Sequence, residues 1–327
     1  MLNFALIALG LVLLFFGGEL LVRGAVSVAK RLGLSSLLIG LTVVGFGTST
    51  PELVVSVQAA LKGSADIALG NVIGSNIANI LVILGVSALI YPMQNWQRSV
   101  RRDAIVMSLV GLLTLGLVQF QVISRFVGVV LVALLIAYLV TAYLMEKRDS
   151  DSAQSQAAPH TPHEQETEEL EDVPLPGWKA TLAILIGLAL LMGGAQSLVT
   201  GAVAIARIYG LSEAAIGLTI VAVGTSLPEM ATSVVAALRK HSDVAIGNVV
   251  GSNIFNILGI LGVTAIVAPV GVGPEFRAVS GPLMLGVSLL LTALLFKAKT
   301  IGRGAGVVLL LGYAFYTAYL FTQSPAQ

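Results

Sequence analysis

Hydrophobic residues in this chain do not alternate with polar ones. They come in long blocks, and the polar residues gather between the blocks. A helix rises 1.5 Å per residue, so about 20 apolar residues cross a hydrocarbon layer of about 30 Å. Blocks of that length recur along the chain, separated by glycine, proline and clusters of charge. They predict ten helices, over residues 2–22, 36–61, 65–91, 103–121, 125–145, 179–206, 213–238, 243–268, 277–296 and 303–321. A membrane β-barrel would need alternating segments of about ten residues, and the sequence has none. The expected fold is an all-α polytopic membrane protein.

One interval interrupts the pattern. Residues 146–178 have no hydrophobic periodicity and hold nine of the seventeen acidic residues. That composition predicts a flexible acidic linker. It divides the chain into a first five-helix unit (1–145), the linker, and a second five-helix unit (179–327). His160 and His163 lie in the linker, where solvation explains them better than metal binding.

The two units repeat one another. Residues 47–85 begin GTSTPELVVS and contain GNVIGSNIANILVILG, and residues 224–262 begin GTSLPEMATS and contain GNVVGSNIFNILGILG. The offset is 177, and 25 of the 39 aligned positions are identical. An internal repeat with interrupted apolar segments at matching positions points to a secondary transporter.

Composition narrows the partners. Of 327 residues, 56% are hydrophobic and 11% charged, against about 25% charged in soluble domains. The net charge of +1 argues against a nucleic-acid partner, and no feature points to an obligate protein partner. With no cysteine, disulfides and thiolate metal sites are excluded. The opening block lacks a basic lead-in and a cleavage site, so it reads as a retained helix. With the N-terminus outside, inward loops carry 14 basic residues and outward loops 4, which predicts a cytoplasmic linker and both termini outside. Five helices per unit then place the repeats upside down relative to each other.

The repeat carries the two most anomalous charges, Glu52 and Glu229, each near the middle of a predicted span. A carboxylate at that depth costs at least ~2.5–3.5 kcal/mol, which a bound cation or proton offsets. Each follows a proline, Pro51 or Pro228, and a Gly-Thr-Ser triplet. Glycine, hydroxyl residues and proline together predict local unwinding, which frees the Thr48 and Thr225 carbonyls. A packing kink would explain one copy but not a glutamate in both. Ser75 and Asn79 share one helix face, as do Ser252 and Asn256. Asn76, Asn253, Asn71 and Asn248 lie on other faces and are expected to cap or bond unwound backbone. Asp66 and Asp243 suit helix starts, and Glu19 is placed to pair with Arg23. Enzymatic motifs such as His-Glu-x-x-His, Gly-x-Ser-x-Gly and Gly-x4-Gly-Lys do not occur.

These paired segments resemble the α-repeats of the Ca²⁺/cation antiporter superfamily, and among them the prokaryotic sodium/calcium exchangers. The resemblance implies ten transmembrane helices as two inverted five-helix repeats, with no cofactor beyond the transported ions. It implies Glu52 and Glu229 as the main Ca²⁺ ligands, completed by the Thr48 and Thr225 carbonyls. Ser49, Ser75, Asn79, Ser226, Ser252 and Asn256 would form flanking Na⁺ sites. Many relatives have an aspartate at one of the positions filled here by Asn79 and Asn256, and its absence argues against potassium co-transport. The expected activity is exchange of Na⁺ for Ca²⁺ across the plasma membrane by alternating access, with the first and sixth helices sliding. Ca²⁺/H⁺ exchange is the alternative within transport. A channel, or a membrane scaffold, is the alternative outside it.

Overall fold

The computed structural model describes residues 2–32, 36–94, 96, 98–156, 175–209 and 222–323. Helix dominates these residues. Six helical stretches are long and apolar enough to cross a membrane: Leu2–Leu32, Ala65–Ile90, Arg125–Met145, Gly177–Ile208, Ser242–Val267 and Phe276–Lys297. Arg98–Leu117 and Arg303–Gln323 are further helices of 20 and 21 residues. Several expected boundaries move. The first helix runs on to Leu32, past the end expected at 22, and the fourth opens at Arg98, ahead of the start expected at 103. The helix opening at Arg125 continues to Gln156, past the end expected at 145. The Arg98–Leu117 helix stops before 121 because Val122–Ile123 forms a strand. The start of the seventh expected helix, and His160 and His163, lie outside the described residues.

Leu2–Leu32 and Gly177–Ile208 pack along their whole length, and glycine is the reason. Glycines at 10, 17 and 24 recur every seven residues, as do those at 187, 194 and 201. A Cβ on Gly10 would lie 2.8 Å from the Gly194 carbonyl oxygen; on Gly17, 2.9 Å from that of Gly187; on Gly24, 2.8 Å from that of Ala180. The numbers rise on one helix as they fall on the other, so the pair is antiparallel. Backbones in van der Waals contact supply the attraction that apolar burial cannot supply between helices in lipid.

The glutamate-bearing helices, Thr50–Leu61 and Leu227–Leu238, end alike. Gly63 N–H bonds the Ala60 carbonyl at 3.0 Å and Ser64 N–H that of Ala59 at 2.9 Å. Lys240 and His241 repeat this with Ala237 and Ala236 at 3.0 and 2.9 Å. The closing residue is left-handed in both, Gly63 at φ 77° and Lys240 at φ 62°, the usual helix stop for glycine. Just before Lys240, Arg239 forms an ion pair with Glu19, so Glu19 reaches across the fold instead of pairing with Arg23 on its own helix.

Two short antiparallel ribbons join the halves. Met93–Gln94 pairs with Thr300–Ile301, and Val122–Ile123 with Val270–Gly271. The centre of the core is the pair of Gly-Ser-Asn helices. The second of these, Ser242–Val267, is almost wholly buried, whereas Leu2–Leu32 is only partly buried and turns Phe4, Phe15 and Phe16 outward.

Candidate functional site

Each glutamate helix begins at a one-residue break. Ser49 (φ −83°, ψ 8°) separates the Gly45–Thr48 turn from Thr50–Leu61, and Ser226 (φ −89°, ψ 7°) separates Ala222–Thr225 from Leu227–Leu238. Pro51 and Pro228 fall in the first turn, where a missing amide proton costs least. The break is narrower than the unwinding the sequence predicts, because Gly45 still accepts the Ser49 amide at 3.1 Å. Glu52 and Glu229 thus occupy first helical turns, at the positive end of the helix dipole.

The halves hold each other's carboxylates. Ser49 Oγ donates to Glu229 Oε1 at 2.8 Å, and Ser226 Oγ donates to Glu52 Oε1 at 3.1 Å. The Thr48 hydroxyl bonds the Val44 carbonyl at 3.0 Å and lies 3.4 Å from Asn248 Oδ1 of the opposite half. Each serine stands one turn before its own half's glutamate, so this exchange brings both carboxyl groups to one place. Both are buried, at 1% and 2% exposure. Asn71 Nδ2 donates to the Glu52 carbonyl (3.1 Å) and to Ser56 Oγ (2.9 Å), and Asn248 repeats this with Glu229 and Ser233 (3.1 and 2.8 Å). These are the backbone-bonding roles expected of Asn71 and Asn248.

Ser75, Asn79, Ser252 and Asn256 are all buried. A wide π-helical turn starts at Asn79 (Asn79–Ile83) and another at Asn256 (Asn256–Leu261). Such turns often mark functional positions because they re-aim side chains. Asn79 Nδ2 donates to Asn253 Oδ1 at 3.0 Å, and Asn256 Nδ2 to Asn76 Oδ1 at 3.1 Å. Asn76 and Asn253 therefore bond side chains of the opposite half, a role the sequence reading missed. Asp66 and Asp243 sit in first helical turns, as expected.

Among the candidate ligand residues, five buried oxygens are left without a hydrogen-bond partner: Glu52 Oε2, Glu229 Oε2, Asn79 Oδ1, Asn256 Oδ1 and Ser252 Oγ. Among the described residues neither glutamate has a basic partner, and no three His, Cys, Asp or Glu side chains cluster. An unpaired buried carboxylate is costly, and neutral oxygens beside it do not supply a positive charge. Carboxylate, amide and hydroxyl oxygens are the donors that hard cations take, Ca²⁺ with 6–8 of them. Two carboxylates with otherwise neutral donors suit an ion that binds and leaves.

The halves are not equal around this centre. Asn71 and Gly74 are half-buried, and nothing lies within 4 Å of the space a Cβ on Gly74 would fill. Their counterparts Asn248 and Gly251 are buried. Ala78 in the first half corresponds to Phe255 in the second, whose ring lies 4.5 Å from that of Phe46 at a tilt of 57°.

Known proteins share this plan. The family model described as sodium/calcium exchanger protein matches residues 2–144 and 179–322, leaving out the linker. CaxA of Alkalimonas amylolytica is 38% identical over 97% of this chain and 98% of its own length. The sodium/calcium exchanger MaX1 of Methanosarcina acetivorans is 32% identical over 98% of each. A solved structure of the sodium-calcium exchanger NCX_Mj, soaked with Na⁺ and Sr²⁺, superposes with a TM-score of 0.80 at 31% identity, covering 100% of this chain and 99% of that one.

Proposed function

Because the chain belongs to the sodium/calcium exchanger family, whose members are membrane cation antiporters and not enzymes, we propose that it exchanges Na⁺ for Ca²⁺ at the paired glutamates. One observation carries this reading: two buried carboxylates are cross-held by serines of the opposite half, each keeps one oxygen without a hydrogen-bond partner, and among the described residues neither has a basic partner. Ca²⁺ neutralises the pair directly. Glu52 and Glu229 are its main ligands with the Thr48 and Thr225 carbonyls. Ser49, Ser226, Ser75, Ser252, Asn79 and Asn256 serve Na⁺ sites on either side. Emptied of ions, the two carboxylates repel, which disfavours an unloaded switch and so couples the two fluxes.

The chain is organised as ten spans in two inverted five-helix repeats, with the linker cytoplasmic and both termini outside. Two features support inversion. The corresponding helices Leu2–Leu32 and Gly177–Ile208 run antiparallel, as a two-fold axis in the membrane plane requires. The ribbons argue the same way: adding 177 to Met93–Gln94 gives Val270–Gly271, yet each of these pairs with the other type of loop, one before the fourth helix and one after it. Parallel repeats would put those partners on opposite sides of the membrane.

Purified protein in liposomes tests the activity. An outward Na⁺ gradient is expected to drive Ca²⁺ uptake, and K⁺ or pH gradients alone are not. Uptake driven by a pH gradient without Na⁺ would assign proton coupling instead, and Ca²⁺ flux with no counter-ion would assign a channel.

A further inference from the structure

The carboxamides of Asn79 and Asn256 can each present a ligand oxygen or an NH₂ group, and an NH₂ repels a cation. The backbone does not decide between them; the group bonded to the other end of the amide does. Asn256 Nδ2 donates to Asn76 Oδ1 at 3.1 Å, and Asn76 Nδ2 in turn faces the sulfur of Met284 at 3.6 Å. The other half repeats the chain: Asn79 Nδ2 donates to Asn253 Oδ1 at 3.0 Å, and Asn253 Nδ2 faces the sulfur of Met107 at 3.6 Å and the Asn76 carbonyl at 3.3 Å. Met107 and Met284 are themselves 177 apart, on the helices Arg98–Leu117 and Gly281–Lys297. All six side chains are buried.

A thioether has no proton to give; it only accepts, and weakly. It therefore takes the NH₂ end of Asn76 or Asn253 and turns the carbonyl end inward. That carbonyl also only accepts, so it takes the NH₂ end of Asn256 or Asn79. What remains to face the centre is Asn256 Oδ1 and Asn79 Oδ1, both without a partner. We infer that Met107 and Met284, through Asn253 and Asn76, are positioning residues that fix which end of the two ligand amides meets the ion. The inference deepens the function proposed above and rests on ions binding there.

The prediction follows from the chemistry of leucine, which fills methionine's volume but accepts no hydrogen bond. In Met284→Leu the Asn76 NH₂ loses its partner, and Asn76 can turn to donate inward. Asn256 must then accept from it and turn its own NH₂ toward the ion. Na⁺ affinity is expected to fall about tenfold, the scale of one lost polar interaction. An aspartate at 256 has no NH₂ end, so in an Asn256→Asp background Met284→Leu is expected to have no effect on Na⁺ affinity. The measurement is the NaCl-dependent rise in melting temperature of the detergent-solubilised protein, against choline chloride, for wild type, each single variant and the double variant.

A Na⁺ affinity unchanged in Met284→Leu would overturn the inference. So would an equal loss in both backgrounds, since that is what a mere packing defect predicts. The readout does not need transport. A protein that binds Na⁺ but fails to exchange Ca²⁺ in liposomes would refute the proposed function and leave this test intact.

Discussion

The site turns on atoms contributed in pairs. Glu52 Oε1 and Glu229 Oε1 are satisfied by the opposite half's serines, and each second oxygen has no hydrogen-bond partner. Replacing either glutamate by glutamine substitutes an NH₂ for one of the oxygens and removes a charge. Glu52→Gln and Glu229→Gln are each expected to abolish Ca²⁺ uptake while leaving the protein folded, as read by gel filtration and proteoliposome flux; wild-type rates would remove the residue from the site. Lys240 carries a separate prediction. It holds the left-handed position that glycine fills in the first copy. A non-glycine residue there costs ~1 kcal/mol, so Lys240→Gly is expected to raise thermal stability by about that amount, measured by detergent-phase melting. Both glutamates, their prolines and the Gly-Ser-Asn stretches were legible in the sequence because the chain writes them twice. The serine-to-glutamate exchange was not, because partners 174 and 180 residues apart leave no local pattern. The pairing of Glu19 with Arg239 was hidden for the same reason: a basic residue one turn away, Arg23, offered a nearer and wrong partner.

Among elements, the seam between Leu2–Leu32 and Gly177–Ile208 is the most demanding. Its glycines let the backbones touch, with Leu14, Leu21, Ile184 and Leu191 packed beside them, and sliding the helices would have to carry these side chains past one another. A bulky residue would jam it. Gly17→Leu and Gly187→Leu are each expected to lower stability by roughly 1–3 kcal/mol through overpacking, and to slow exchange further than the loss of folded protein explains. Measured turnover per folded molecule separates the two effects; turnover equal to wild type would show that the seam does not move. The seven-residue glycine spacing was visible in the sequence, but it names a close approach without naming the partner. The one-residue helix breaks were overestimated because proline and glycine report that a helix is disturbed, not over what length. Met107 and Met284 could have been found from their 177-residue offset, although the fourth and ninth helices otherwise match poorly and gave no reason to look.

At the scale of the molecule, the ribbons and the antiparallel seam bear on which way each half points. The chain has no cysteine, so single introduced thiols report sidedness cleanly. Gln94→Cys and Val122→Cys stand on different ribbons at exposed positions. A membrane-impermeant thiol reagent added to intact cells is expected to label the residue at 122 and not that at 94, with the reverse in inside-out vesicles. Labelling of both from one side would contradict the inverted arrangement.

The mismatch of Ala78 with Phe255 reaches beyond local packing. A carrier assembled from two identical halves would meet its cargo on the same terms whichever way it faced. Here one half sets the ring of Phe46 against that of Phe255, and the other half offers only a methyl group at the matching position, Ala78. The two orientations then rest at different free energies, and the half-saturating Ca²⁺ concentration is expected to differ between the two faces. Trimming Phe255 to alanine should narrow that gap, turning a rectifying exchanger toward an indifferent one.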